Sequence, residues 1–153
     1  MEAMTIIRVA PMTPEVLFSV VALEEECGLN SRGVEGYRKI LSNPNTILLV
    51  AIESSENHHV VGIFSGDVVA NELQIDNLAV SERFRRMGIG QSLLKSALSL
   101  AARLCARTAI LEVRSANLPA CAFYEKEGFA VVGFRKRYYT APPDDALLLS
   151  REI

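Results

Sequence analysis

Metal-binding and disulfide-forming residues are scarce in this chain. Its 153 residues include two histidines, the adjacent His58 and His59, and three cysteines, Cys27, Cys105 and Cys121, with no Cys-x-x-Cys pair. Protein zinc sites draw three or four ligands from such residues at characteristic spacings, so no metal is expected. An odd cysteine count without paired spacing also excludes a disulfide framework, and the thiols read as reduced in a cytosolic setting. A charge excess is missing as well: 16 basic residues face 18 acidic ones, for a net charge of -2. That excludes a generally basic, nucleic-acid-binding surface and leaves only a local basic patch open. Long apolar runs are absent too. Ile47 to Ile52 is far short of the roughly 20 residues of a spanning helix. Met1-Glu2-Ala3-Met4 carries an acid and lacks a basic n-region, so no targeting segment is expected there. These absences together predict a soluble, cytoplasmic protein without membrane contact. What remains is apolar enough to fold: 50% of residues are hydrophobic and 22% charged, which predicts one compact domain over residues 1–153.

Met4 to Val9 is short and β-branched and predicts a first strand. Thr13-Pro14-Glu15 reads as a helix start, Thr as cap and Pro at the first helical position, with Gly28 as the stop. Ser31 is positioned to cap a second helix that turns Tyr37, Ile40 and Leu41 to one side. Asn43-Pro44-Asn45 is a turn. Thr46 to Ile52 is continuously apolar, hence a buried strand. A polar loop over Glu53 to His59 follows, then a strand over Val60 to Val69 with Gly62 and Gly66 as candidate bulges. Asn71 marks a tight turn before a strand over Leu73 to Val80. Short loops between these strands predict an antiparallel meander. Helical spacing takes over from Gly90 to Cys105. Beyond it come a strand over Thr108 to Val113, a helix over Asn117 to Glu127 stopped by Gly128, and strands over Phe129 to Phe134 and Ala146 to Ser150. The class is α+β, a mixed sheet flanked by helices.

The densest signal is Asp76-Asn77-Leu78-Ala79-Val80 running into Arg85-Arg86-Met87-Gly88-Ile89-Gly90. A turn between a strand and a long helix leaves backbone N–H groups unpaired at the positive end of the helix, an arrangement that holds anions. Gly88 and Gly90 let the backbone approach a pyrophosphate closely, and Arg85 and Arg86 add charge. Alone, such a turn could equally be a plain tight turn. A Walker-type loop is disfavoured because Gln91 stands where its Lys belongs, and the dinucleotide fingerprint because Leu93 stands at its third glycine.

Those residues resemble the GNAT superfamily of N-acetyltransferases. The family's glycine motif, Gln/Arg-x-x-Gly-x-Gly/Ala, is matched by Arg85 to Gly90 directly after the strand ending Leu78-Ala79-Val80. The likeness extends through Leu111-Glu112-Val113-Arg114, Asn117 and Ala122 to Phe129. Arg137-Tyr138-Tyr139 and Asp144 to Leu147 are similar to the closing segment of the RimI-type branch, which acetylates the N-terminal alanine of a ribosomal protein. That branch usually carries a Trp-Ser pair near the first helix; this chain reads Cys27-Gly28-Leu29-Asn30-Ser31-Arg32.

The resemblance implies a GNAT-like, mostly antiparallel central sheet and acetyl-CoA as co-substrate. It implies cofactor contacts from Leu78, Ala79, Val80, Arg85, Arg86, Met87, Gly88, Ile89, Gly90, Gln91 and Asn117. It implies Glu112 as base, through a water, and Tyr124 as the acid that protonates the departing thiolate. Read from the residues, Glu112 lies in an apolar strand where burial could raise its pKa, or it pairs with Arg114 two positions on. Tyr124 is alternatively a core aromatic, and Asn117 a helix cap. Cys121 as a covalent acetyl carrier is disfavoured for want of a nearby histidine. Tyr138 and Tyr139 with Asp144 and Asp145 could orient a cationic N-terminus or form an exposed turn. The acceptor implied is a protein N-terminus, the alternative another amine, and the chain a monomer or weak dimer. A non-catalytic acetyl-CoA-binding module is the third possibility.

Overall fold

The computed structural model describes residues 6–54 and 59–153. Its elements are β1 (Ile7–Pro11), α1 (Leu17–Glu26), α2 (Gly33–Ile40), β2 (Thr46–Glu53), β3 (His59–Val69), β4 (Glu72–Val80), α3 (Ile89–Arg103), β5 (Thr108–Arg114), α4 (Leu118–Lys126), β6 (Ala130–Thr140) and β7 (Pro143–Glu152). The strands form a seven-stranded sheet in the order β1-β2-β3-β4-β5-β7-β6. Every neighbouring pair is antiparallel except β4 with β5. This is the expected α+β, mostly antiparallel GNAT architecture.

Why β2 is apolar throughout is now plain. Ile47, Leu49 and Ala51 pack on one face of the sheet, with Leu93, Leu94 and Ala97 of α3. Leu48, Val50 and Ile52 pack on the other, with Leu17, Val20 and Leu23 of α1 and Tyr37 of α2. A strand covered by helices on both sides has no solvent face to mark with polar residues. Gly62 of β3 lies where α3 comes closest: a Cβ there would sit 3.0 Å from Leu93 Cδ1 and 3.1 Å from Ile89 Cγ2.

Several local expectations shift. Met4 and Thr5 of the expected first strand lie outside the described residues, as do positions 55–58 of the expected loop; β1 itself runs on to Pro11. β2 and β3 reach Glu53 and His59, which pair across the ladder and bond side chain to side chain at 2.9 Å. Thr13 precedes a 3-10 turn, Pro14–Val16, and makes no side-chain cap. Ser31 bonds the Gly33 N–H at 3.0 Å, while Arg32 takes the capping position of α2. β6 and β7 are much longer than expected, because β6 is an edge strand whose polar residues are held by hairpin pairing rather than by burial.

Both bulges lie beside the expected glycines, with one correction. The first skips Val61, next to Gly62. The second lies opposite Gly66: Ser65 pairs with Asn77 and Gly66 with Ile75, so the extra residue is Asp76 on β4. A bulge bends its own strand, and β4 bends away from β5. Their parallel pairing covers only Glu72–Gln74 against Thr108–Ile110. Beyond it the two strands splay, and the functional residues gather around that opening. Among the described residues no helix is long and apolar enough to cross a membrane.

Candidate active site

Two clefts border the end of β4, the first reached by Val80 and the second by Leu78. The first, about 390 Å³, is lined by Val80, Phe84, Arg85, Arg86, Gly88, Ile89, Gly90, Gln91 and residues of α4 including Phe123 and Lys126. Gly88 stands at φ +78°, a left-handed conformation that lets the chain turn directly into α3. The α3 ladder opens with Ser92 N–H donating to Gly88 O at 3.0 Å. The N–H groups of Ile89, Gly90 and Gln91 therefore have no acceptor within the helix. Nothing lies within 4 Å of where a Gly88 Cβ would be, so the crest of the turn is open. Arg85 turns its Nε to Val80 O at 3.2 Å. Arg85, Arg86 and Lys126 against the single acid Glu127, together with free N–H donors and open backbone, fit a pyrophosphate. Met87 is exposed and lines neither cleft.

The second cleft, about 730 Å³, runs through the splay and is lined by Asp76, Asn77, Leu78, Glu112, Asn117, Tyr124, Tyr138, Tyr139 and the loop Cys27–Asn30, among others. Ser81 N–H donates to Val61 O on β3 at 2.8 Å. Strand alternation then turns the main-chain groups of Leu78 and Val80 toward the missing β5 neighbour. Their side chains pack on the α3 face, whereas Ala79 packs on the α1 face.

Glu112 and Tyr124 approach this cleft from opposite sides of the sheet. Leu111 and Val113 are buried toward α3, so Glu112 and Arg114 face α1. Glu112 does not pair with Arg114. Its Oε1 lies 3.1 Å from Arg135 Nε, with the two side chains 29% and 56% exposed. The burial expected of Glu112 in its apolar strand is thus replaced by a half-open, ion-paired setting. Arg114 bonds the Pro142 and Ala141 carbonyls at 2.7 and 3.2 Å and stacks on Tyr139, 4.2 Å from its centroid. Tyr138 stacks on Arg135. Burial pushes the Tyr139 phenol up, with the Glu112 charge adding to the effect.

Tyr124 belongs to α4 on the α3 side, its ring edge-on to Phe123 and Phe129 at 5.1 and 5.2 Å. It is therefore a core aromatic and a cleft residue at once. Burial pushes its phenol well above the usual tyrosine range, which keeps the hydroxyl protonated. Asn117 caps α4, its Oδ1 accepting from Ala120 N–H at 3.2 Å, and also lines the cleft.

Asp144 and Asp145 do not serve the cleft. Asp144 accepts from Ser115 Oγ at 2.7 Å and from the Ala116 and Asp145 N–H groups, bonds that lower its pKa, the Ser115 hydroxyl foremost. Asp145 accepts from Arg137 N–H at 2.8 Å. Asp145 fastens the β6–β7 hairpin and Asp144 ties it to the turn after β5; from that hairpin Tyr138, Tyr139, Thr140 and Ala141 reach the opening.

Sequence reasoning missed a polar group under the other wall. A third cleft, about 850 Å³, continues from the splay past Arg32, Asp76, Asn77, Glu112 and Arg135. Arg32 bridges to Asp76 at 2.8 Å, and Asn77 bonds to a fully buried Glu24 of α1. Glu24 falls on the buried stripe with Leu17 and Val20, a spacing that could have marked it. Among the described residues no group of His, Cys, Asp or Glu is arranged to hold a metal.

The Acetyltransferase (GNAT) family pattern matches residues 17–129. A Bacillus subtilis protein provisionally named a ribosomal protein bS18-alanine N-acetyltransferase is 35% identical over 113 residues, 74% of this chain and 73% of its own. The Escherichia coli ribosomal-protein-S18-alanine N-acetyltransferase shares the fold, with a TM-score of 0.83 at 22% identity over 97% of this chain and 94% of that one. A Bacillus anthracis protein provisionally described as a streptothricin acetyltransferase, crystallised with acetyl coenzyme A, gives 0.69 at 25% identity over 76% and 68%. With the match running from the start of α1 to the end of α4, this chain belongs to the Acetyltransferase (GNAT) family and is an N-acetyltransferase that draws on acetyl-CoA.

Proposed function

We propose that the chain acetylates the N-terminal α-amine of a protein, with the alanine of a ribosomal protein as the leading acceptor, by direct attack of the amine on acetyl-CoA. The observation that carries this reading is the cleft through the β4–β5 splay, with Glu112 on its α1 side and Tyr124 on its α3 side. The N–H groups of Gly88, Ile89, Gly90 and Gln91, with Arg85 and Arg86, hold the pyrophosphate; Met87 contributes backbone only. The free edge of Leu78, Ala79 and Val80 carries the pantetheine, and one of its N–H groups supports the thioester oxygen as charge develops there. Asn117 contacts the cofactor while capping α4. Glu112, through a water, takes a proton from the amine. The amine nitrogen bonds to the thioester carbon, the carbon–sulfur bond breaks, and the Tyr124 hydroxyl gives the thiolate its proton.

An α-amine suits this base. Its pKa is about 7.8 against about 10.4 for lysine, so at neutral pH it is about 400-fold more often neutral, worth about 3.5 kcal/mol. The name of the Bacillus subtilis relative supports the ribosomal acceptor, as do Tyr138 and Tyr139 at the cleft. Another amine is the second reading, favoured by the loop Cys27 to Arg32, which borders the clefts without the Trp-Ser pair of the RimI-type branch. The presence of both Glu112 and Tyr124 at one cleft speaks against a silent binding module. A cytoplasmic site of action, as monomer or weak dimer, goes with this reading and with the unpaired thiols.

Mass spectrometry of a peptide panel with varied N-terminal residues, beside free amino acids and polyamines, tests it. The expected product is a single acetyl group on the α-amine, with alanine-led peptides turned over fastest. Acetylation confined to lysines or polyamines would refute the N-terminal assignment.

A further inference from the structure

Glu24 is fully buried and lines none of the clefts, yet it is bonded to a residue that does. Its Oε1 accepts from Ser31 Oγ at 2.9 Å. Its Oε2 accepts from the Tyr37 hydroxyl at 2.9 Å and from Asn77 Nδ2 at 3.3 Å. A carboxylate can only accept. The two hydroxyls could turn to serve either role, but an amide cannot without exchanging its oxygen and nitrogen. Glu24 therefore holds the Asn77 nitrogen inward and its oxygen outward.

That oxygen is uncommitted. It accepts from no described residue, and Ser65, opposite Asn77 on β3, finds no partner for its own buried hydroxyl among the described residues. Asn77 lines both clefts that meet at Glu112. It faces α1, as Glu112 does. The arrangement sets a neutral hydrogen-bond acceptor beside the proposed base, on the side from which an amine would come.

We propose that Asn77 Oδ1 accepts an N–H of the incoming amine, and that Glu24 is a positioning residue that keeps this oxygen turned to the cleft. The inference rests on the reading that the acceptor amine meets Glu112 there. An amine has more than one N–H and a single lone pair. Fixing one N–H on Asn77 while Glu112 takes another proton leaves the lone pair for the thioester. With the amide reversed, its NH2 would meet the amine donor to donor.

Steady-state kinetics with the best-used peptide of the panel test this. Asn77→Ser, on the half-buried cleft wall, withdraws the oxygen, and the expected result is a rise in acceptor KM of about 10–100-fold, with the acetyl-CoA KM and the thermal midpoint little changed. Glu24→Gln alone can keep its oxygen on Tyr37 and Asn77 and turn its NH2 to Ser31, so the role of Glu24 is read against Asn77→Asp. Asn77→Asp sets two carboxylates together and should raise acceptor KM and lower the midpoint. Adding Glu24→Gln gives the new carboxylate a donor and again leaves an oxygen toward the cleft, so acceptor KM should return to within about threefold of wild type. An unchanged acceptor KM in Asn77→Ser, a joint rise of both KM values with a fallen midpoint in that variant, or a double variant no better than Asn77→Asp would each overturn the inference. If no panel member is acetylated, the proposed function falls and takes this inference with it; if acetylation proceeds and only these variants disagree, the inference falls alone.

Discussion

Replacing Glu112 by glutamine is expected to lower kcat by about 10²–10⁴-fold while leaving the acetyl-CoA KM near its wild-type value. The substitution keeps the size of the side chain and removes its ability to take a proton. The ion pair with Arg135 goes too, but both partners are partly solvated, and such pairs contribute about 0–1 kcal/mol. The thermal midpoint should therefore move little, which separates a chemical defect from a folding defect. Peptide turnover across pH 6–9 is the measurement. A kcat for Glu112→Gln equal to wild type throughout that range would remove Glu112 as base.

Tyr124→Phe should also cost about 10²–10⁴-fold in kcat, and here stability offers a second readout. The ring packs edge-on against Phe123 and Phe129, and phenylalanine keeps those contacts. Among the described residues no group bonds the Tyr124 hydroxyl. Deleting it removes no protein hydrogen bond and should leave stability at neutral pH unchanged or slightly raised. At high pH the variant should be the more stable of the two. Burial raises the folded-state pKa of Tyr124 above the ordinary value. Below about pH 10 the phenol is neutral in both states; above it the unfolded chain ionises first and wild-type stability falls. Thermal melts between pH 9 and 11 should show a shallower decline for Tyr124→Phe. Full peptide turnover in Tyr124→Phe would remove the acid assignment whatever the melts show.

Much of this site was legible because its signals are local. The turn Arg85 to Gly90 declares itself by glycines, arginines and a helical period beginning within six residues, and its free N–H groups follow from helix geometry alone. Asn117 as a cap and Gly128 as a stop are local in the same sense, and both appear at the ends of α4. β2 was legible because six apolar residues in sequence, Ile47 to Ile52, suit only a strand buried on both faces or a helix, and the flanking Asn43-Pro44-Asn45 turn leaves little room for the second.

The unread features depend on pairings between distant residues. Glu112 and Arg114 share a face of β5, which made them plausible partners. The sheet inserts β7 between β5 and β6, and this brings Arg135 to Glu112 while the hairpin carbonyls take Arg114. Gly66 suggested a bulge in β3, but the surplus residue is Asp76 on the opposite strand, because register belongs to a pair of strands and not to either one. Glu24 was hidden in a run of three glutamates; only the first falls on the buried stripe of α1, and its partners lie as far away as Asn77. Asp144 and Asp145 follow the structural one of their two readings, since their charges are spent on the N–H groups of Arg137, Asp145 and Ala116 and on the Ser115 hydroxyl.

All of these assignments depend on one opening that joins the α3 side of the sheet to the α1 side. A conjugate that links the sulfur of coenzyme A through an acetyl bridge to the α-amine of an alanine-led peptide would have to occupy both sides at once. Joining two ligands of a shared channel makes the second binding intramolecular and can strengthen it by about 10²–10⁴-fold. Calorimetric titration should give the conjugate a Kd at least about 100-fold below those of acetyl-CoA and of the peptide measured separately, with inhibition competitive against both. A conjugate that binds no more tightly than acetyl-CoA, or that leaves peptide binding undisturbed, would contradict a through-going cleft.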